Sequence, residues 1–254
     1  IFFYTQIELL YIFHYKSTEV PMTGQTDFTK SKAEISERNK FLARVYGWMT
    51  AALALSGFTA YYTANNPVLI KIIFGSGYGF FILALAEIAI VWILSRTIRR
   101  ISVTGAVFAF ITYSVLNGLT LSSIFFYYTG AVIARVFFIS AALFAVMTIY
   151  GITTKSNIRS AGRYLMMALI GIIIASLVNI FMRSSMLDWI ISIITVVVFS
   201  GLTAYDANKM MMTADRADGN DMFKKAAIIG ALELYIDFIN IFLSLLRIFG
   251  RGRD

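Results

Sequence analysis

The chain has 254 residues, 59% hydrophobic and only 14% charged, against about 25% charged in an ordinary soluble domain. So few polar side chains cannot cover a water-facing surface, and a mean hydropathy of +0.75 defines an all-α, polytopic membrane protein. No cysteine is present and the single histidine is His14, so thiolate and His-ligated metal sites and Ser–His or Cys–His nucleophiles are excluded, while the net charge of +8 lies in short basic clusters that do not form a nucleic-acid footprint.

Residues 1–21 hold an apolar stretch broken by Glu8, too short for a span and lacking the basic start of a signal peptide. With Met22 the first methionine, they read as an upstream extension, the alternative being an interfacial helix. Residues 1–43 form an N-terminal segment, 44–250 a transmembrane domain and 251–254 a short tail. Residues 45–70 carry no charge, and Asn65-Asn66-Pro67 ends the first span near 63. Gly75, Gly77 and Gly79 lead into a second span at about 78–95, whose one acid is Glu87. The uncharged run 101–134 is too long for one span. Its Tyr127-Tyr128-Thr129-Gly130 turn divides it into a third helix at 103–126 and a fourth at 132–152. Residues 164–182 and 189–206 give the fifth and sixth, and 226–248 a seventh that contains Glu233 and Asp237. Each approaches the roughly 20 residues that a bilayer requires.

Basic residues alternate between the loops. Lys16, Lys30, Lys32, Arg38, Lys40 and Arg44 precede the first span, and the next loops carry Lys71; Arg96, Arg99 and Arg100; Arg135; Lys155, Arg159 and Arg163; Arg183; then Lys209, Arg216, Lys224 and Lys225. The positive-inside rule puts the N-terminus in the cytoplasm. Tyr61-Tyr62, Tyr127-Tyr128 and Trp189 fit an interfacial belt at the opposite edge. Seven crossings leave Arg247, Arg251 and Arg253 outside, against the rule, so the last helix either spans fully, the favoured reading, or re-enters.

The informative residues are Glu87, Asp206, Glu233 and Asp237, acids within or at the edge of apolar spans. An ionised acid at the bilayer centre costs about 2.5–3.5 kcal/mol on insertion scales, so they should face the bundle interior or a watery cavity. Glu233, Asp237, Asn240 and Ser244 fall at i, i+4, i+7 and i+11, one polar stripe along the last helix. A helix with such a stripe is most stable at the centre of the other six. The acids are either structural, paired with neighbouring Ser, Thr or Arg, or they form an ion or proton path, the reading favoured for Asp206 and Asp237.

The run GALELYIDFINIFLSLLRIFG from Gly230 to Gly250 and the Thr203–Lys209 segment TAYDANK resemble the Bax inhibitor-1 family, over residues 40–250. The chain ends without the long charged tail of many eukaryotic relatives, which points to a bacterial member in the cytoplasmic membrane. The resemblance implies seven transmembrane helices, two three-helix layers around a central C-terminal helix. It also implies a pH-sensitive calcium leak in which Asp206 and Asp237 form the sensor and gate. Glu87 matches the family's second-span Glu, and an Arg at the end of that span pairs with an aspartate, for which Arg96 and Arg99 are both candidates. Glu233, Asn240 and Glu87 are candidate path residues. Calcium is expected as the transported ion, with protons as the second ligand and no cofactor.

The chemistry fits that expectation. Two carboxylates in a low-dielectric site cannot both ionise freely, so the pair titrates as a unit. Ca²⁺ takes 6–8 oxygen ligands, of which Asp206, Asp237, Asn240, carbonyls and water could supply part, transiently. One tension remains. Asp206 sits at the end of its span and Asp237 about ten residues into the last, roughly 15 Å at 1.5 Å per residue. They can meet only if the sixth helix continues towards Met212, with Lys209 snorkelling.

Other motifs carry less. Aligning Gly219 with the EF-hand glycine puts Ala214, Arg216 and Lys225 at ligand positions, so Asp215–Asp221 reads as a solvated turn. Gly75-x-Gly77-x-Gly79 lacks the strand of a dinucleotide loop and reads as a helix approach. Gly171 and Ala175 read as close helix packing. Two alternatives to the leak stand: a non-conducting regulator that binds a membrane protease or channel, and an intramembrane aspartyl protease. Tyr205-Asp206 resembles the presenilin-like Tyr-Asp, but Asp237 follows Tyr-Ile rather than Gly-x-Gly, and no Pro-Ala-Leu is present.

Overall fold

The apolar runs become helices, and short polar side chains end most of them. The computed structural model describes residues 28–75, 78–98, 100–154, 158–216 and 219–250. Helix α1 spans Phe28–Ala64. Beyond it, Asn66 accepts from the Val68 and Leu69 amides at 3.0 and 3.3 Å, and Pro67 opens α2, Pro67–Phe74, where its missing N–H costs nothing. Helix α3 is Gly79–Thr97. Ser102 caps α4, Val103–Leu121, through the Gly105 amide. A single turn, α5, follows at Ile124–Tyr127, and Thr129 caps α6, Gly130–Thr153. Helix α7, Arg159–Met182, stops at Arg183, whose φ of 51° is left-handed. Ser184 caps α8, Ser185–Ala214, and Asn220 caps α9, Asp221–Phe249, through the Met222 and Phe223 amides.

Several boundaries differ from the sequence expectation, three of them in ways that shape the bundle. Helix α1 begins at Phe28, well before 45. The expected 103–126 helix breaks after Leu121, where Ser122 and Ser123 donate back to the Leu119 and Thr120 carbonyls and compete with the helical ladder. Helix α8 continues to Ala214, past 206. The extension expected at 1–21, most of the 1–43 segment and the 251–254 tail lie outside the described residues.

Among the described residues, five helical stretches are long and apolar enough to cross a membrane: Val103–Tyr127, Gly130–Thr153, Ala161–Met182, Ser185–Ala214 and Asp221–Phe249. The α2–α3 pair makes six if taken as one bent span. Helix α1 falls short because charges run through its first half to Arg44 and Ser, Thr and Tyr dilute its second.

Helix α9 is enclosed. Every residue from Ala227 to Phe242 is buried, and α8, α1, α6 and α4 pack around it. It runs unbroken to Phe249, without a re-entrant turn. A helix buried on all sides is expected to be apolar all round, so the polar stripe on α9 stands out. The outside carries the apolar side chains instead: Phe108, Phe138, Val146, Ile174 and Phe181 are exposed, as suits contact with acyl chains. Tyr61, Tyr62, Tyr127 and Trp189 are exposed as well. Gly171 corrects the close-packing expectation, since a Cβ there would meet nothing. The close approaches fall at other glycines, described below.

Candidate functional site

The site begins with the packing of α8. A Cβ on Gly151 of α6 would meet the Ala204 backbone, and one on Gly162 of α7 would meet the Tyr205 ring. On the α9 side, a Cβ on Gly230 would meet the Met210 thioether. Asn208 fixes the first of these contacts by donating from Nδ2 to the Gly151 carbonyl at 2.9 Å. Residues 204–210 of α8 are thus wedged between three helices.

The antiparallel register of α8 and α9 then sets four charged groups together. Asp206 and Asp237 are buried, 4% and 0% exposed, and their carboxyls lie within hydrogen-bonding reach of one another. Among the described residues, neither oxygen of Asp237 meets an N–H or hydroxyl donor. Two carboxyls hydrogen-bond only by sharing a proton. One step along, Lys209 Nζ donates to both oxygens of Glu233, at 2.8 and 3.0 Å. The 15 Å offset expected from sequence disappears because α8 continues past Asp206 and runs alongside α9.

The rest of the stripe follows α9. Asn240 donates to the Ile236 carbonyl at 2.8 Å, within its own helix, and the Ser244 hydroxyl has no partner among the described residues. At the far end Arg247 reaches Asp188 at 3.2 Å. Asp188 and Asp206 are eighteen positions apart on α8, roughly 27 Å at 1.5 Å per residue, close to the ~30 Å of a hydrocarbon core. A cavity of about 330 Å³ opens there, with Thr120, Tyr128, Ser176, Asn179, Asp188 and Arg247 among its lining residues. Burial pushes the Tyr128 phenol up from its ordinary value, opposed by Arg247 and reinforced by Asp188.

Glu87 joins a different cluster. Its carboxylate accepts from Asn117 Nδ2 at 3.2 Å and Thr120 Oγ1 at 2.9 Å. Tyr235 donates to Asn117 Oδ1 at 2.8 Å, and its hydroxyl lies 2.7 Å from Ser56 Oγ. This network ties α1, α3, α4 and α9 together. Arg96 is not brought to the aspartates: it is exposed, with its guanidinium 5.1 Å above the Trp92 ring. Arg99 lies outside the described residues. Among the described residues, the cation facing the aspartate pair is Lys209.

In the sequence Lys209 reads as a basic loop residue and a snorkelling stem, with no partner named. Its partner was nonetheless legible: Lys209 follows Asp206 by three residues and Glu233 precedes Asp237 by four, so antiparallel helices that pair the aspartates also pair Lys209 with Glu233. The Asp188–Arg247 pair falls eight positions out of that register, about 12 Å at 1.5 Å per residue, so the same spacing does not foretell it. Tyr235 and Asn117 carried no sequence signal, since nothing local marks a buried amide or phenol. The Asp215–Asp221 turn has Gly219 at a φ of 78° and Asn220 as the α9 cap; its residues 217 and 218 lie outside the described residues. Among the described residues, no three His, Cys, Asp or Glu side chains converge as a preformed metal site.

Fold and site together define an all-helical membrane protein with an acidic pair buried against its innermost helix. Residues 38–254 match the family described as Inhibitor of apoptosis-promoting Bax1, and the chain belongs to that family. It is 46% identical to inner membrane protein YbhL of Escherichia coli (strain K12) over 215 residues, 84% of this chain and 92% of that protein. An uncharacterized protein of Borreliella burgdorferi is 44% identical over 229 residues, 90% of this chain and 99% of that one. A Streptococcus pyogenes membrane protein, also uncharacterized, is 37% identical over 216 residues, 84% and 93%. The resemblance drawn from the Gly230–Gly250 run therefore holds across residues 38–254.

Proposed function

We propose that the protein is a slow, pH-modulated cation leak that prefers Ca²⁺, with Asp206 and Asp237 as its gate and sensor. The observation that carries this reading is the buried Asp206–Asp237 pair, in which the Asp237 carboxyl meets no N–H or hydroxyl donor among the described residues and has only Asp206 within hydrogen-bonding reach, on a polar stripe that follows α9 through the bundle. Two buried carboxyls that depend on one shared proton are a costly structural device, so their presence calls for another use. In the closed state the pair shares a proton. When that proton leaves, two adjacent carboxylates repel one another and offer oxygen ligands suited to Ca²⁺. A cation enters from the cavity beside Asp188 and Arg247, moves along Ser244 and Asn240 and reaches the aspartates. In this reading the chain makes seven crossings, with α1 and the α2–α3 pair as the first two and the Lys209 end in the cytoplasm, in a bacterial inner membrane.

Calcium flux into liposomes holding the purified protein tests it, from pH 6 to pH 8. Flux is expected to rise with pH, and Asp206→Asn or Asp237→Asn to flatten the profile. A wild-type flux no greater than that of empty liposomes at every pH would overturn the leak and favour the non-conducting regulator.

A further inference from the structure

Lys209 has no part in the gate as described so far, yet it lies against it. Its ammonium engages both oxygens of Glu233. The acid is sealed, with its side chain 5% exposed, while the lysine side chain is 32% exposed and reaches the edge of the bundle on its apolar stem. At this level α8 and α9 contribute three carboxyls, Asp206, Asp237 and Glu233, and a single positive group.

We propose that Lys209 is a tethered competitor for the permeating cation: its ammonium holds Glu233 and weakens divalent-ion binding at the aspartate pair. This rests on the cation-leak reading. Any cation that reaches the aspartates meets a fixed positive charge one helical step away, and like charges at that separation repel in a low-dielectric site. The ammonium also withholds the Glu233 oxygens, which would otherwise extend the ligand set towards the number Ca²⁺ requires. Three carboxylates without Lys209 would bind a divalent ion tightly and release it slowly. With Lys209 in place, binding stays weak enough for the ion to leave. Glu233 in turn restrains Lys209, because without it the ammonium is free to swing to Asp206 and neutralise the gate itself.

The two partners therefore have opposite effects, which misfolding cannot imitate. Calcium binding to the full-length protein in detergent would be measured by calorimetry, alongside flux in liposomes. Lys209→Gln is expected to tighten Ca²⁺ about tenfold, the order of one charge–charge interaction in a partly buried site. Glu233→Gln should weaken it by a similar factor, the double variant should return to within about twofold of wild type, and Lys209→Arg should behave as wild type. Tighter binding by Lys209→Gln supports the inference even if no variant conducts, in which case only the leak falls. A wild type that conducts, with binding and flux unchanged by Lys209→Gln, overturns the inference and leaves the leak standing. Absence of both binding and flux in the wild type and all variants overturns the two together.

Discussion

Helix α9 presents two polar neighbourhoods at one level of the bundle, one on each side. Tyr235 lies two residues from both Glu233 and Asp237, roughly 200° around the helix. On the Tyr235 side, the Glu87 carboxylate is met on both oxygens by neutral donors, and the chain of hydrogen bonds continues to Ser56. On the Asp237 side a carboxylate faces another carboxylate and a Lys–Glu pair. The Glu87 and Asp237 carboxyls are equally buried, 1% and 0% exposed. The difference shows that burial of an acid says little about its use. A saturated network is worth its desolvation cost as structure, whereas an acid pair held by one shared proton loses that hydrogen bond as soon as the proton leaves.

The strongest way to break that contrast is to truncate the network side. Tyr235 packs edge-on between Phe110 and Tyr113, with ring centroids 6.0 and 5.8 Å away. Tyr235→Ala should cost about 3–5 kcal/mol through the cavity it leaves, read as a fall in the unfolding midpoint in detergent. Next is the glycine that seats α8. Gly151→Ala drives a Cβ into the Ala204 backbone and should cost about 1–3 kcal/mol as overpacking. Gly230→Ala meets only the flexible Met210 side chain and should cost less, so the pair of midpoints ranks backbone against side-chain clashes. Asp237→Asn should run the other way. An amide at position 237 can donate to Asp206 in place of the shared proton, so it should leave the protein as stable as wild type or stabilise it by up to about 1 kcal/mol, while flux loses its rise from pH 6 to pH 8. The smallest effect belongs to Arg96→Ala. An exposed cation over a ring is worth about 0.5–1 kcal/mol, and the substitution should leave the pH profile of flux unchanged. A shifted profile would restore Arg96 as the latch.

Much of this is legible in the sequence itself. The charge-free runs, the Asn66-Pro67 and Thr129-Gly130 breaks and the i, i+4, i+7 stripe on α9 are local features, fixed by helix periodicity and capping. So were Asp206 and Asp237, because acids in apolar runs are conspicuous. Distances between helices were not. The sixth helix was ended at Asp206 because Asn208 and Lys209 are polar, yet Asn208 satisfies Gly151 and Lys209 satisfies Glu233, so the helix continues. The same limit leaves the latch that the family resemblance implies open between Arg96 and Arg99, and passes over Lys209. Gly171 was singled out by its spacing from Ala175, although only the facing helix decides which glycines need to be small. Glu87 was grouped with the ion path because sequence cannot show that Asn117 and Thr120 saturate it.

The two sides of α9 can be separated in one experiment: the pH profile of calcium flux in liposomes for Glu87→Gln and Asp237→Asn, beside wild type. If the aspartate pair is the sensor, Glu87→Gln keeps the rise between pH 6 and pH 8, whatever it costs in stability, and Asp237→Asn is flat. A flat profile for Glu87→Gln with the wild-type rise preserved in Asp237→Asn would contradict that assignment and move the sensor to the saturated network.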